Sequence, residues 1–209
     1  MQVPCRKAEA REAPSRSKRT VRWLANSTKE VLTATGIFVL LALLFTLISL
    51  LISPPSTQVG SARPFGEIPI HEVELGGLGA LLGAVALGIY GQGGAVVALM
   101  LPALSILVDL DHLPSFLGIA QPIRPAHSIF FLVADIALTA IVLRRMDFSL
   151  IAMSAFAGHL GIDTGLAPPL SPISFDYVQL DPYRVPLLVI STITAFAAGY
   201  LLRRSRRRT

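Results

Sequence analysis

Residues 33–52, TATGIFVLLALLFTLISLLI, form an apolar run without a single charged side chain. A helix rises about 1.5 Å per residue, so this run covers the roughly 30 Å hydrocarbon core of a bilayer. The rest of the chain agrees: 53% of its residues are apolar, 15% are charged and its mean hydropathy is +0.63. A soluble domain carries about 25% charged residues. The run therefore reads as the first span of a membrane protein. A signal peptide is the competing reading. The preceding basic segment is too long for one, the apolar run exceeds the usual ~7–15 residues, and no A-x-A site follows.

Five further apolar segments follow. After a Pro/Ser/Gly-rich connector, a second span is expected from Pro69 to Tyr90, with Gly76, Gly79, Gly83 and Gly88 interleaved with alanines. Small residues four apart let helices approach closely in lipid. Gly91-Gln92-Gly93-Gly94 reads as a tight turn, and Ala95–Val108 as a short third span. Ala126–Leu143, Phe148–Asp163 and Pro186–Leu202 complete the set. The expected fold is all-α, a polytopic helical membrane bundle of about six transmembrane helices. Residues 1–33 are expected to be a basic disordered arm, 34–53 an anchor, 68–203 a five-helix membrane domain and 204–209 a basic tail.

The basic residues set the orientation. The formal net charge of +5 is concentrated at the ends, with eight Lys/Arg in residues 1–33 and five in residues 203–209. That pattern marks cytoplasmic flanks of membrane spans, and nucleic acid is not an expected partner. With both termini cytoplasmic, Arg144 and Arg145 also fall inside, and only Arg63, Arg124 and Arg184 fall outside. Membrane lipids are the expected surroundings, in a multi-pass cell-membrane protein. The lone cysteine, Cys5, precludes an internal disulfide or a thiolate cluster, so any metal must be held by nitrogen and oxygen.

All four histidines then fall at the outer rim: His71, His112, His127 and His159, together with Asp109, Asp111 and Asp163. They lie in four stretches: Ile70-His71-Glu72, Asp109-Leu110-Asp111-His112, Arg124-Pro125-Ala126-His127-Ser128, and Gly158-His159 through Asp163. His159 and Asp163, four apart, share a helix face, as do Asp109 and His112 if helix continues through them. Grouped imidazoles and carboxylates mark a metal site. Zn²⁺ suits them best, with Mn²⁺ or Fe²⁺ as alternatives. His71, Asp109, His112, His127, His159 and Asp163 are the expected ligands, with Asp111 as a ligand or general base. Arg124 is expected either to hold an anionic substrate group or to anchor the interface. Asp135 lies mid-span, where a carboxylate costs roughly 2.5–3.5 kcal/mol to insert. Support for the metal site, a proton relay and a neutral hydrogen-bonded acid are its three readings, the first preferred.

In this order, the stretches resemble the YdjM-like family, LexA-binding, inner-membrane-associated metal-dependent hydrolases distantly similar to zinc-dependent phospholipase C. The matching residues are His71, Val108-Asp109-Leu110-Asp111-His112, Arg124 with His127-Ser128, and Gly158-His159 through Asp163. Val108 stands where the family has proline, and the first histidine of its His-Arg-Gly-x-x-His pattern is missing. The resemblance implies hydrolysis of phosphoester or lipid-derived substrates. A transporter for metal ions or protons is the rival function. It needs polar residues continuing toward the cytoplasm, and below Asp135 only Thr139, Ser105, Ser149 and Ser154 qualify.

Overall fold

The outward positions of the helices are as apolar as the inward ones. Leu40, Leu47 and Leu51 on the first helix, Val133 and Ile141 on the fourth, and Val185 and Ile193 on the last are all exposed. A helix that is apolar all round fits lipid rather than water. The structure, a computed structural model, describes residues 16–52, 68–116, 124–163, 166–171, 173–174 and 176–207; the side chains of residues 16–25, 68–72 and 115–116 lie outside that description.

Among the described residues, six helices build an all-α bundle: α1 Arg16–Ile52, α2 Ile68–Tyr90, α3 Gln92–Leu107, α4 Ile129–Leu143, α5 Met146–Ile162 and α6 Arg184–Arg206. Four segments are long and apolar enough to cross a membrane: Asn26–Ile52, Val73–Tyr90, Gln92–His112 and Asp181–Arg206. α4 and α5 have 15 and 17 residues, or roughly 22 and 25 Å. Both stop short of a full crossing, and the polar residues that end them sit at those stopping points.

Two boundaries differ from expectation. α1 starts at Arg16, well ahead of Thr33, so the portion of the basic arm from Arg16 onward is helical rather than irregular. No Gly or Pro interrupts residues 16–35, and Ala, Leu, Lys, Arg and Glu favour helix, so the apolar helix propagates backward. The expected disorder of residues 1–15 lies outside the described residues. The expected four-residue turn at Gly91–Gly94 is shorter, because Gly91 alone, at φ +60°, reverses the chain. Gly93 and Gly94 belong to α3. A Cβ on Gly94 would strike the Ala86 backbone, and one on Gly93 would come within 2.7 Å of Arg203 N.

The same close approach holds α2 to α3, where Gly79 faces the Pro102 backbone and Gly83 that of Ala98. α5 and α6 are joined by a reciprocal pair: Ser154 Oγ donates to Ser191 O at 2.7 Å, and Ser191 Oγ to Ser154 O at 2.8 Å. α1 closes the other side through Phe38 and Phe45, both edge-on to Phe131 of α4. Between α5 and α6, Leu166–Ala167 pairs antiparallel with Val178–Gln179. Pro169 O accepts from Ile129 N at 2.9 Å, pinning that loop over the start of α4.

Candidate metal centre

Three chain stretches end together at one end of the bundle. α3 continues into a 3₁₀ turn, Val108–His112, instead of ordinary helix. Positions three apart eclipse each other in such a turn. Asp109 and His112 therefore still meet, with His112 Nε2 3.2 Å from Asp109 Oδ1. Asp111 projects elsewhere, toward a second 3₁₀ turn at Pro125–His127, where Ala126 N donates to its Oδ2 at 2.9 Å. Ser128 caps α4 by accepting from Phe131 N at 3.1 Å. That backbone bond is the role the structure assigns to Ser128. α5 ends at Ile162, and Asp163, in extended conformation, bonds back through its N–H to His159 O at 2.8 Å.

Glycines set the depth of His159. A Cβ on Gly158 would approach Ser191 Oγ to 2.8 Å, and one on Gly161 would approach Leu188 Cδ2 to 2.9 Å. Their absence lets α5 lie against α6 while His159 faces inward, fully buried.

Four atoms then converge. His127 Nε2 lies 2.9 Å from His159 Nε2, 3.3 Å from Asp109 Oδ1 and 3.7 Å from Asp163 Oδ2. His159 Nε2 lies 3.5 Å from Asp109 Oδ1. Metal–ligand distances of about 2.0–2.1 Å put the ligands of a tetrahedral zinc roughly 3.3 Å apart, which these separations straddle. His112 Nε2 belongs to the adjoining group with Asp109 and His127. The cluster thus has donors for one ion, with His112 beside it.

The far nitrogens decide what the near ones can do. His159 Nδ1 is 2.8 Å from Ser105 O, and a carbonyl only accepts, so that nitrogen carries the hydrogen. His127 Nδ1 is 3.1 Å from Asp111 Oδ2, which likewise accepts. With both rings neutral, each Nε2 carries a lone pair, and the two face each other across 2.9 Å. Two lone pairs at that range repel. A cation between them turns repulsion into coordination, with the far contacts fixing tautomer and ring angle.

Charge points the same way. Arg124 donates from Nη1 to Asp163 Oδ2 at 2.7 Å, from Nη2 to Asp109 Oδ1 at 3.3 Å and from Nε to His112 Nε2 at 3.1 Å. Burial works to lower the pKa of its guanidinium, but Asp163, Asp109 and Asp111 together outweigh burial and raise it, so Arg124 stays charged. With the imidazoles neutral, three carboxylates against one guanidinium leave an excess of two negative charges, the complement of a divalent ion.

Of the expected site residues, Asp109, His112, His127, His159, Asp163 and Arg124 come together. Asp111 stands behind His127 as an orienting carboxylate, outside the converging atoms; its Oδ1 is buried without a hydrogen-bond partner. His71 lies in the first turn of α2, and its side chain lies outside the described residues. Asp135 makes no hydrogen bond to the cluster, so the expected supporting role has no contact behind it. Two elements escaped the sequence reading. Ser105 contributes a backbone carbonyl, which no side-chain pattern announces. Tyr177 brings a buried, unpartnered hydroxyl; burial raises its pKa, and the charges of Arg124 and Asp111 act on it. Its signal was invisible because the tyrosine sits in an irregular loop, far in sequence from every histidine. Comparison with family models, with curated proteins and with solved structures finds no match to this chain.

Proposed function

We propose that the chain is a multi-pass membrane hydrolase that depends on a divalent metal, with its site at the extracytoplasmic face and both termini in the cytoplasm. One observation carries the reading: His127 and His159 turn their Nε2 atoms toward each other at 2.9 Å beside Asp109 and Asp163, each ring held from behind by an acceptor. His127, His159, Asp109 and Asp163 would hold the ion, and His112 would complete or extend the set. Nitrogen and oxygen donors in this mixture suit Zn²⁺, with Mn²⁺ or Fe²⁺ as alternatives. When bound, such an ion supplies Lewis-acid polarisation of a phosphoryl or acyl oxygen.

The protein's own residues supply the rest. Asp111 and Ser105 O keep the imidazoles in the liganding tautomer. Arg124 presents a charged planar fork beside the cluster, and an anionic phosphoester oxygen is the partner such a fork matches best. Placement at helix ends, on the less basic side of the bundle, favours lipid-derived or lipid-linked phosphoesters. The resemblance to the YdjM-like hydrolases supports the same substrate class.

Transport of metal ions or protons ranks second. Of the hydroxyls that would line a path, three are engaged with backbone: Ser105 Oγ donates to Leu101 O at 2.8 Å, Ser149 Oγ to Ile136 O at 3.2 Å, and Ser154 Oγ to Ser191 O at 2.7 Å, which leaves Thr139. The test is metal content and phosphodiesterase turnover of the detergent-purified protein, alongside flux in proteoliposomes. Stoichiometric metal with ester turnover supports the hydrolase. Flux without turnover installs the transporter, and absence of metal rejects the hydrolase.

A further inference from the structure

Midway along α4, away from the histidine cluster, a carboxyl group is enclosed with nothing to bond. Asp135 and Thr139 are each 1% exposed. Both carboxyl oxygens of Asp135 and the hydroxyl of Thr139 lack a hydrogen-bond partner among the described residues. The two residues are four apart in α4 and so share a helix face, with side chains roughly 5–6 Å apart at Cβ. Phe131 occupies the same face one turn earlier and packs on Phe38, Phe45 and Phe156. The pair therefore points into the seam between α1 and α5, not toward lipid.

Among the described residues, no charge in that seam can balance a carboxylate. α1 and α5 are the helices packed on α4. From Ala34 to Ile52 α1 carries no ionisable side chain, and from Phe148 to Gly158 α5 carries none. The charged or ionisable groups that bound the level are His127 and Arg144 on the chain either side of α4, Asp147 and His159 on α5, and Glu30 on α1. All are engaged elsewhere or lie at the bundle ends. An isolated carboxylate buried in an apolar medium is too costly to persist, so something positive must accompany it.

We propose that Asp135 and Thr139 form a second site, separate from the metal centre, that holds one monovalent cation against the carboxyl group. Three free oxygens are few for a hard metal cation, which takes about six or more. The proton, needing only one, fits the site best; sodium with added water is the other source of the same charge. The site gives the bundle a group whose charge changes as its cation enters or leaves, at the packed junction of α1, α4 and α5.

Infrared difference spectroscopy of the full-length protein in detergent, wild type against Asp135→Asn, tests this at neutral pH in sodium-free buffer. The expected result is a protonated-carboxyl C=O band present in wild type and lost in the variant, with bound metal at the cluster unchanged. If that band is absent, a sodium-dependent rise in melting temperature that Asp135→Asn abolishes supports the sodium occupant. An ionised carboxylate at Asp135 in sodium-free buffer, with no sodium effect on melting, overturns the proposal. Should Asp135→Asn fail to fold, ¹³C-aspartate labelling of the wild type reads the same band by its isotope shift, and Thr139→Val perturbs that band while keeping the carboxyl. None of these readouts depends on the metal centre, so the two sites stand or fall separately.

Discussion

Each end of the bundle has a partly buried arginine set against two carboxylates, yet the two arrangements differ in kind. At one end Arg145 donates from Nη1 to Glu30 at 2.5 Å, and from Nε and Nη2 to both oxygens of Asp147, while its guanidinium carbon lies 5.1 Å from the Phe148 ring centre. Asp147 Oδ1 also accepts from Phe148 N. Donors and acceptors are matched, no histidine takes part, and the cluster ties α1 to the α4–α5 turn. At the other end Arg124 meets Asp109, Asp163 and His112, and the imidazoles of His127 and His159 face each other beside the same carboxylates. The first arrangement is complete in itself. The second gathers nitrogen and oxygen donors that could hold a metal ion.

The comparison breaks most readily at the histidines. Replacing His159 and Asp163 together by Ala should weaken metal binding by more than ~100-fold, since loss of outer hydrogen-bond partners alone costs about 10–100-fold. Elemental analysis of the purified protein reads this directly. Full occupancy in the double variant would mean that the facing lone pairs hold no ion, and the contrast between the two ends would vanish.

Asp111→Asn comes next. It preserves shape but removes the charge: with its oxygen still accepting from Ala126 N it is a weaker acceptor for His127 Nδ1, and turned the other way its NH₂ favours the wrong tautomer and gives up the Ala126 bond. A loss of about 10–100-fold in metal affinity is expected, measured by competition with a chelating dye. An unchanged affinity would return Asp111 to the ambiguous position, ligand or base, that its sequence context left open.

That ambiguity shows what the sequence could and could not convey. The apolar runs announced six helices and, apart from the start of α1, put their ends within a few residues, because hydropathy alone sets those ends in lipid. The grouping of His112, His127 and His159 with Asp109 and Asp163 was legible for the same reason: polar residues at helix ends, counted by side of the bundle, collect at one rim. Which face each presents was not legible. Asp109-Leu110-Asp111-His112 reads equally well as α-helix or 3₁₀ turn, and only the 3₁₀ turn sends Asp109 toward the cluster and Asp111 behind His127. Ser105 acts through its backbone, and Tyr177 feels the charges of Arg124 and Asp111 from an irregular loop. Neither leaves a periodic trace. The helical extension of α1 back to Arg16 was missed because charge was taken to imply disorder, although its residues are good helix formers.

Arg124→Gln sharpens the comparison from the cationic side. Removing the guanidinium relieves competition for Asp109 and Asp163, so metal affinity should hold or rise by a few-fold. Binding of inorganic phosphate to the metal-loaded protein should weaken about tenfold, as expected for loss of one charge-assisted contact worth roughly 1.5 kcal/mol. Calorimetry on both ligands separates the two effects. A collapse of metal binding would show instead that Arg124 is a structural clamp like Arg145.

Arg145→Ala is the smallest and the most discriminating change. Its cluster is partly open to solvent, with side-chain exposures of 20% for Arg145 and 26% for Glu30. Its ion pairs are therefore screened, and their loss should cost about 1–2 kcal/mol of stability in total. The expected signature is a lower melting temperature in detergent with metal content unaltered, because α1 loosens from the α4–α5 turn while the far end keeps its geometry. A drop in metal occupancy in step with stability would instead make the two ends one cooperative unit. The difference between a self-sufficient charge cluster and one that awaits a cation would then be a matter of degree, set by how tightly α4 and α5 transmit strain along their shared length.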